Sequence, residues 1–344
     1  MKTMSKNIIK RLTRSILVVG CGLLGLMMTS CSSDDENTLT FSEISENGSL
    51  KSRCIKRTLG PNVVGNQINL VYAMAMPYGS GQLESCTVTA SIAGAAGTWL
   101  ENNSYHANSS GMDVPVSVGT PSVNDGPSTT VTFNVDTCAS TLRYYYVIPE
   151  EARGKEVSFT LTAKAKDGRT VSNTMGPYQV CKQYLKRNIT LSKTRCYISL
   201  EDMAAYTLAE AQTMPEKIDL VYLWRNKKDK GVEFGHVFAA PVADSEWLDN
   251  LTVPATMNRN LRLRKEWGII DGHLTDDPDY GTYIDDLDFE TIQLDGMPNY
   301  CVNMKEKGGM WLETADGRYR AYLYINSLKT TSGGVISIKR YNLR

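Results

Sequence analysis

Between residues 50 and 180 the hydrophobic positions recur at every second residue, the period of a strand with one buried face. Cys86, Val88, Ala90 and Ile92 alternate with Thr and Ser, and Val131, Phe133 and Val135 alternate with Thr132 and Asn134. Val157, Phe159, Leu161, Ala163 and Ala165 form the cleanest run, closed by Asp167-Gly168, a hairpin-type turn. Residues 68–76 are more continuously apolar, as in a strand buried on both faces, and residues 144–148 make another strand that stops at Pro149. No long 3.6-residue period appears in this half. Short strands punctuated by Gly, Pro and Asn predict an antiparallel β-sandwich. A true immunoglobulin domain carries a Tyr-x-Cys corner; here Tyr144-Tyr145-Tyr146 runs into Val147-Ile148, so the expectation is an immunoglobulin-like sandwich over residues 49–182.

The pattern changes after a polar, basic stretch at 178–188, which reads as an interdomain linker. Ser199-Leu200-Glu201-Asp202 and Thr207-Leu208-Ala209-Glu210 look like helix starts, the second fitting the S/T-x-x-E capping box. One or two short helices are expected between 199 and 213. Residues 218–225, 234–239, 310–313, 319–325 and 335–339 read as strands, with Asp316-Gly317 as a hairpin turn. The chain is therefore expected to be mainly β: two β-sandwich domains, the second (183–344) β-rich with one or two short helices.

The first 30 residues hold Lys2, Lys6, Lys10, Arg11 and Arg14 and no acid, followed by an apolar run at 16–28. Thirteen apolar residues are too few for a helix to cross a bilayer, which takes about 20. A basic start, a short apolar run and small residues predict a signal peptide over residues 1–30. The run ends Met28-Thr29-Ser30-Cys31, which resembles the lipobox of bacterial lipoproteins. That resemblance implies cleavage before Cys31, lipid on its thiol and an acylated amine, hence attachment to a membrane through Cys31. The acidic run Ser32-Ser33-Asp34-Asp35-Glu36-Asn37 is similar to the surface-export signal of glycan-foraging gut-type Gram-negative bacteria. It implies an outer-membrane, cell-surface location, with residues 31–48 as a flexible tether.

Short patterns in both domains resemble the uncharacterised β-sandwich lipoproteins of such bacteria. They are Tyr144 to Pro149 leading into Gly154-Lys155-Glu156-Val157-Ser158-Phe159, then Ile218-Asp219-Leu220-Val221-Tyr222 before Phe234 to Ala240-Pro241. Trp311 to Tyr319, around the Asp316-Gly317 turn, and Gly334 to Lys339 complete them. The resemblance implies association with starch-utilisation-like glycan uptake and contact with outer-membrane transporter components. It implies no catalytic residues.

Composition narrows the classes further. The 344 residues carry 37 Lys+Arg against 37 Asp+Glu. Losing five bases with the signal leaves 32 against 37, a formal charge of −5. An acidic body is no nucleic-acid binder, and its anchoring must come from lipid, because it gains little from anionic membrane surfaces.

Motifs of known chemistry are missing. His106, His236 and His273 form no His-Glu-x-x-His, and there is no Cys-x-x-Cys, Gly-x-Ser-x-Gly or phosphate-binding loop. His236, inside a strand, reads as a half-buried or surface structural residue. The carboxylates at 276–290 read as a solvated acidic loop; Asp277, Asp279 and Asp285 are the candidate Ca²⁺ ligands, though their spacing is not that of an EF-hand. No cofactor is expected. Six cysteines besides Cys31 in the mature chain allow several disulfide pairings, and none is assigned.

Sugar rings offer an apolar face and hydroxyl edges, so stacking aromatics beside amides suit them. The long loop at 93–112, with Trp99, Asn102, Asn103 and Tyr105, and the 267–283 stretch, with Trp267, Tyr280 and Tyr283, are the candidate ligand surfaces. The alternative place for both tryptophans is the core. The leading expectation is a surface lipoprotein that binds glycan without catalysis. A fimbrillin-like structural or adhesin subunit and a glycan-active enzyme are the alternatives.

Overall fold

The computed structural model describes residues 49–229, 231–275 and 282–344. The expected signal peptide, Cys31 and tether lie outside the described residues, as do Asp277, Asp279 and Tyr280. The N-terminal lobe carries β1 (Lys51–Lys56), β2 (Gln67–Ala75), β3 (Leu83–Ala90), β4 (Trp99–Leu100), β5 (Asn103–Ala107), β6 (Asp113–Ser117), β7 (Val123–Asp125), β8 (Ser128–Thr132), β9 (Ala139–Val147), β10 (Glu156–Ala165) and β11 (Thr170–Gln179). They form two antiparallel sheets, ordered β1-β2-β9-β4 and β11-β10-β3-β8-β7, plus the hairpin β5-β6. Side chains on a strand point alternately to its two faces. Ile68, Leu70 and Tyr72 of β2 and Leu142, Tyr144 and Tyr146 of β9 therefore enter the core, while Gln67, Asn69, Arg143 and Tyr145 stand on the other face. Phe159 of β10 meets Tyr146 edge-on at 4.9 Å and Tyr144 at 6.0 Å. Burying one such ring contributes about 1.5–3 kcal/mol.

The C-terminal lobe holds β12 (Tyr184–Leu191), β13 (Arg195–Ser199), β14 (Ala204–Thr207), β15 (Leu220–Asp229), β16 (Val232–Ala239), β17 (Leu261–Trp267), β18 (Tyr300–Met304), β19 (Gly308–Thr314), β20 (Tyr319–Leu328) and β21 (Gly334–Asn342). Three short helices join them: α1 (Leu208–Gln212), α2 (Ser245–Leu248) and α3 (Asp286–Thr291). Its sheets run β12-β21-β20-β19-β17 and β14-β13-β15-β16-β18, and Val237, Phe238, Leu312, Leu323, Ile336 and Ile338 from both of them belong to one buried apolar cluster. A second apolar layer of Leu274, Ile284, Phe289, Trp311, Tyr322, Tyr324 and Tyr341 covers the outer face of the first of these sheets. That sheet is thus buried on both faces, which explains why β19 and β20 read as near-continuous apolar runs rather than alternating ones. The chain is mainly β, with two sandwiches and few short helices, as the hydrophobic pattern predicts.

Four local expectations are corrected. The supposed linker at 178–188 is mostly strand: β11 ends at Gln179, β12 begins at Tyr184, and only residues 180–183 connect them. Basic side chains on β12 suggested a linker because they face solvent. Ser199 to Asp202 starts no helix. The Ser199 Oγ accepts the Asp202 N–H in a turn, whereas Thr207 and Glu210 do form the capping box of α1. The acidic loop is partly helical. Asp285 is the N-cap of α3, its carboxylate accepting the N–H groups of Leu287 and Asp288. The stretch at 93–112 is not a free loop, since it contains β4 and β5.

The junction between the lobes is densely bonded. Val180 and Cys181 donate to the carbonyls of Lys155 and Asn62 on the N-terminal side. Lys182 and Gln183 donate to the two oxygens of Asp286 at 2.7 and 3.2 Å, and the Gln183 amide donates to the Ile284 carbonyl at 2.9 Å. The Tyr184 ring is covered by Arg153 at 3.6 Å and Arg340 at 4.3 Å. Cation–π contacts of this kind contribute about 0.5–2 kcal/mol each. With its backbone groups satisfied, this junction holds the two lobes in one arrangement, and residues 48–344 form one unit.

Candidate functional site

A cleft of about 750 Å³ opens where the outer face of sheet β1-β2-β9-β4 meets the C-terminal lobe. Its floor follows from strand register. Asn69 of β2 and Trp99 of β4 both pair with Tyr145 of β9, and Val71 pairs with Arg143. Residues paired across antiparallel strands share a face, so Asn69, Tyr145 and Trp99 form one row, with Gln67 and Arg143 on either side of it. Arg57, Asn62 and Asn66 from the segment between β1 and β2 form one wall. Arg187 of β12, Gly272, His273 and Tyr283 form the opposite wall. The lining is rich in amides, arginines and tyrosines.

The C-terminal wall is built on a buried charge pair. Asp271 and Lys339 are both completely buried, with the Lys339 Nζ 2.5 Å from the Asp271 carboxylate. Asp271 also accepts the N–H groups of His273 at 2.8 Å and Ile284 at 2.9 Å, which pins the two ends of this segment to the outer face of the sheet. Lys339 spends its other two protons on the Ile284 carbonyl at 2.8 Å and His273 Nδ1 at 3.0 Å. An ammonium can only donate, so Nδ1 must accept and the ring proton sits on Nε2. Burial, reinforced by the Lys339 charge, pushes the His273 pKa down to about 4. Burial also pulls Lys339 below the ordinary lysine range, against the attraction of Asp271. At neutral pH His273 is therefore an uncharged imidazole of fixed tautomer, its ring packed 4.9 Å from Tyr283. The residue is part of the cleft lining.

The candidate aromatics lie around this cleft in part. Trp99 is 41% exposed and stacks on Tyr145 with centroids 4.9 Å apart and planes 10° from parallel. Tyr105 donates to Glu101, and its ring carries the Arg143 guanidinium at 3.6 Å. Arg143 is bonded in turn to Asp113. Tyr283 lines the cleft directly. Asn102 and Asn103 have structural work instead: Asn102 donates to the Gly119 carbonyl at 2.7 Å, and Asn103 pairs with Ser117 in the β5-β6 hairpin. Trp267, 50% exposed, ends β17 against Gly308 and does not line the cleft.

His273 falls within the candidate 267–283 stretch, whereas Arg57, Asn62, Asn66, Gln67, Asn69, Arg143, Tyr145 and Arg187 are not singled out by the sequence pattern. The signal was available for Tyr145 alone: in Tyr144-Tyr145-Tyr146 the middle ring must face away from the core.

The other histidines are elsewhere. His236 is buried rather than surface-placed, its Nδ1 2.8 Å from the Tyr222 hydroxyl, which also accepts the Gly333 N–H at 2.9 Å. His106 lies on β5. Among the described residues no three His, Cys, Asp or Glu side chains group as a metal site. The six described cysteines are free thiols. Burial pushes the Cys54 and Cys301 thiols up to about 12, far from reactive thiolates.

The model of the domain of unknown function DUF4466 matches residues 47–180, and that of the domain of unknown function DUF8576 matches residues 181–343. No curated protein matches the chain. The crystal structure of a DUF4466 family protein from Parabacteroides merdae ATCC 43184 is 42% identical, with a TM-score of 0.80 over 86% of this chain and 99% of that one. The Actinomyces fimbrial adhesin FimA aligns over 86% of this chain and 99% of its own at only 8% identity and a TM-score of 0.26, a likeness from which nothing follows. On the strength of the near-complete coverage of the Parabacteroides protein, the chain belongs to the DUF4466 family.

Proposed function

We propose that this protein is a non-catalytic glycan-binding module, anchored to the outer face of the outer membrane by lipid on Cys31, and that the cleft between its lobes is the binding site. One observation carries the reading: four amide side chains, three arginines, two tyrosines and a fixed neutral His273 donor face one cleft of oligosaccharide dimensions. Amides and arginines serve hydroxyl edges, and tyrosine offers area at low entropic cost. The anchor rests on the lipobox-like Met28-Thr29-Ser30-Cys31 and the acidic run after it. A surface module of this kind would hand glycan to outer-membrane transporter components.

Affinity electrophoresis of the compact unit 48–344 through host and dietary polysaccharides tests the binding. Retardation by at least one polysaccharide, abolished in Tyr145→Ala, is expected. Free migration through all of them would contradict the reading. For the anchor, labelling cells with a fatty-acid analogue should tag the wild-type chain and not Cys31→Ser.

A further inference from the structure

Among the described residues, the lining of the cleft carries charge of one sign only. Arg57, Arg143 and Arg187 face it from three different elements, and no described lining residue is acidic. Arg143 has Asp113 as its partner, whereas Arg57 and Arg187 make no ion pair among the described residues; the Arg187 guanidinium donates only to the Thr275 carbonyl, at 3.3 Å. Guanidinium is a planar fork that matches the oxygens of carboxylate or sulfate two at a time, and it is always charged. His273 fits the same pattern, since its Nε2–H is a donor whose neutrality is enforced from behind by Lys339.

A site for neutral sugar needs acceptors as well as donors. This one has donors in excess: three guanidiniums and the imidazole N–H, against acceptors supplied by Asn62, Asn66, Gln67, Asn69 and the tyrosine hydroxyls. An isolated exposed arginine means little, but three converging on one cleft raise the local concentration of an anionic ligand and orient it.

We infer that the cleft selects anionic glycans, in which sugar-borne carboxylate or sulfate groups sit against Arg57 and Arg187 while Tyr145 and the amides take the neutral part of the chain. This inference rests on the cleft being a glycan site.

The test compares matched pairs by isothermal titration on residues 48–344. One arm uses oligogalacturonides and their carboxyl-reduced counterparts. The other uses chondroitin sulfate oligosaccharides before and after desulfation. The expected result is at least a tenfold preference for the acidic member of one pair, weakening as NaCl rises from 50 to 500 mM. Whichever pair shows it identifies the group as carboxylate or sulfate. Arg57→Ala and Arg187→Ala, both at exposed positions, should each lower affinity for the acidic member several-fold more than affinity for the neutral member and so remove most of the preference, with the unfolding transition of each variant recorded alongside. Equal binding of acidic and neutral members would overturn the anionic selection and leave the glycan site standing. Absence of binding to every member would overturn both. A preference that survives both substitutions would overturn the assignment to these arginines.

Discussion

Replacing Lys339 with Met probes the cleft wall at its base. In the folded protein Lys339 and Asp271 are both fully buried, and the ammonium has three acceptors: Asp271, His273 Nδ1 and the Ile284 carbonyl. Methionine fills similar volume but leaves the Asp271 charge in a dry site with only two backbone N–H groups. Removing one partner of a buried pair costs about 3–5 kcal/mol, most of it from the stranded charge. For a chain of this size each kcal/mol lowers the unfolding midpoint by about 2–4 °C, so a drop of about 6–20 °C is expected. Urea unfolding followed by tryptophan fluorescence gives the free energy directly. Adding Asp271→Asn, which keeps a carbonyl for the backbone donors but removes the charge, should return at least about 1 kcal/mol. His273 supplies an independent readout. With the Lys339 charge gone and Asp271 still ionised, its pKa should rise from about 4, while the burial that is the larger cause continues to hold it down. A Lys339→Met protein within about 1 kcal/mol of wild type, or a double variant less stable than the single one, would refute the buried-pair argument.

Other consequences are as concrete. The folded pKa of His273 lies below its unfolded value, so its neutral form contributes stability that is complete above about pH 6.5 and is lost as pH falls towards 4. The loss attributable to this group is at most about 3 kcal/mol; His273→Asn lacks it, so in a pH series of urea titrations the stability difference between wild type and variant should shift by that amount between pH 6.5 and 4. Tyr222→Phe strips the Gly333 N–H and His236 Nδ1 of their shared buried partner and should cost about 1–3 kcal/mol with the fold retained, read by chemical denaturation. Asp286→Ala frees the amides of Lys182 and Gln183, so limited proteolysis should cut faster at 180–183 while far-ultraviolet circular dichroism stays unchanged.

Strands with one dry face were legible in the sequence because their alternation is a direct record of burial. β10 and β3 are the clearest instances. β20 and β21 were legible for a different reason, since burial on both faces leaves long apolar runs. β12 was not, because Lys186, Arg187, Asn188 and Thr190, four of its eight residues, are basic or polar and its pairing with β21 is written in backbone bonds rather than side chains. The candidate site divides in the same way. Trp99, Tyr105 and Tyr283 stood out by residue type, yet a cleft between lobes joins residues 57 to 283, and no local pattern encodes that meeting. Lys339 is the extreme instance: a charged residue at the end of an apolar strand reads as solvent-facing, and only its pairing with Asp271, 68 positions away, makes it buried.

Glycan bound in the cleft as proposed would lie against His273. The chain has only three histidines, so imidazole resonances in a ¹⁵N–¹H spectrum are simple to follow. Titrating residues 48–344 with the oligosaccharide that binds best should shift the His273 Nε2–H resonance in saturable proportion to binding, while His236, hydrogen-bonded in the core of its sheet, stays in place. Saturable binding that leaves the His273 signal unmoved would put the ligand elsewhere and contradict the account.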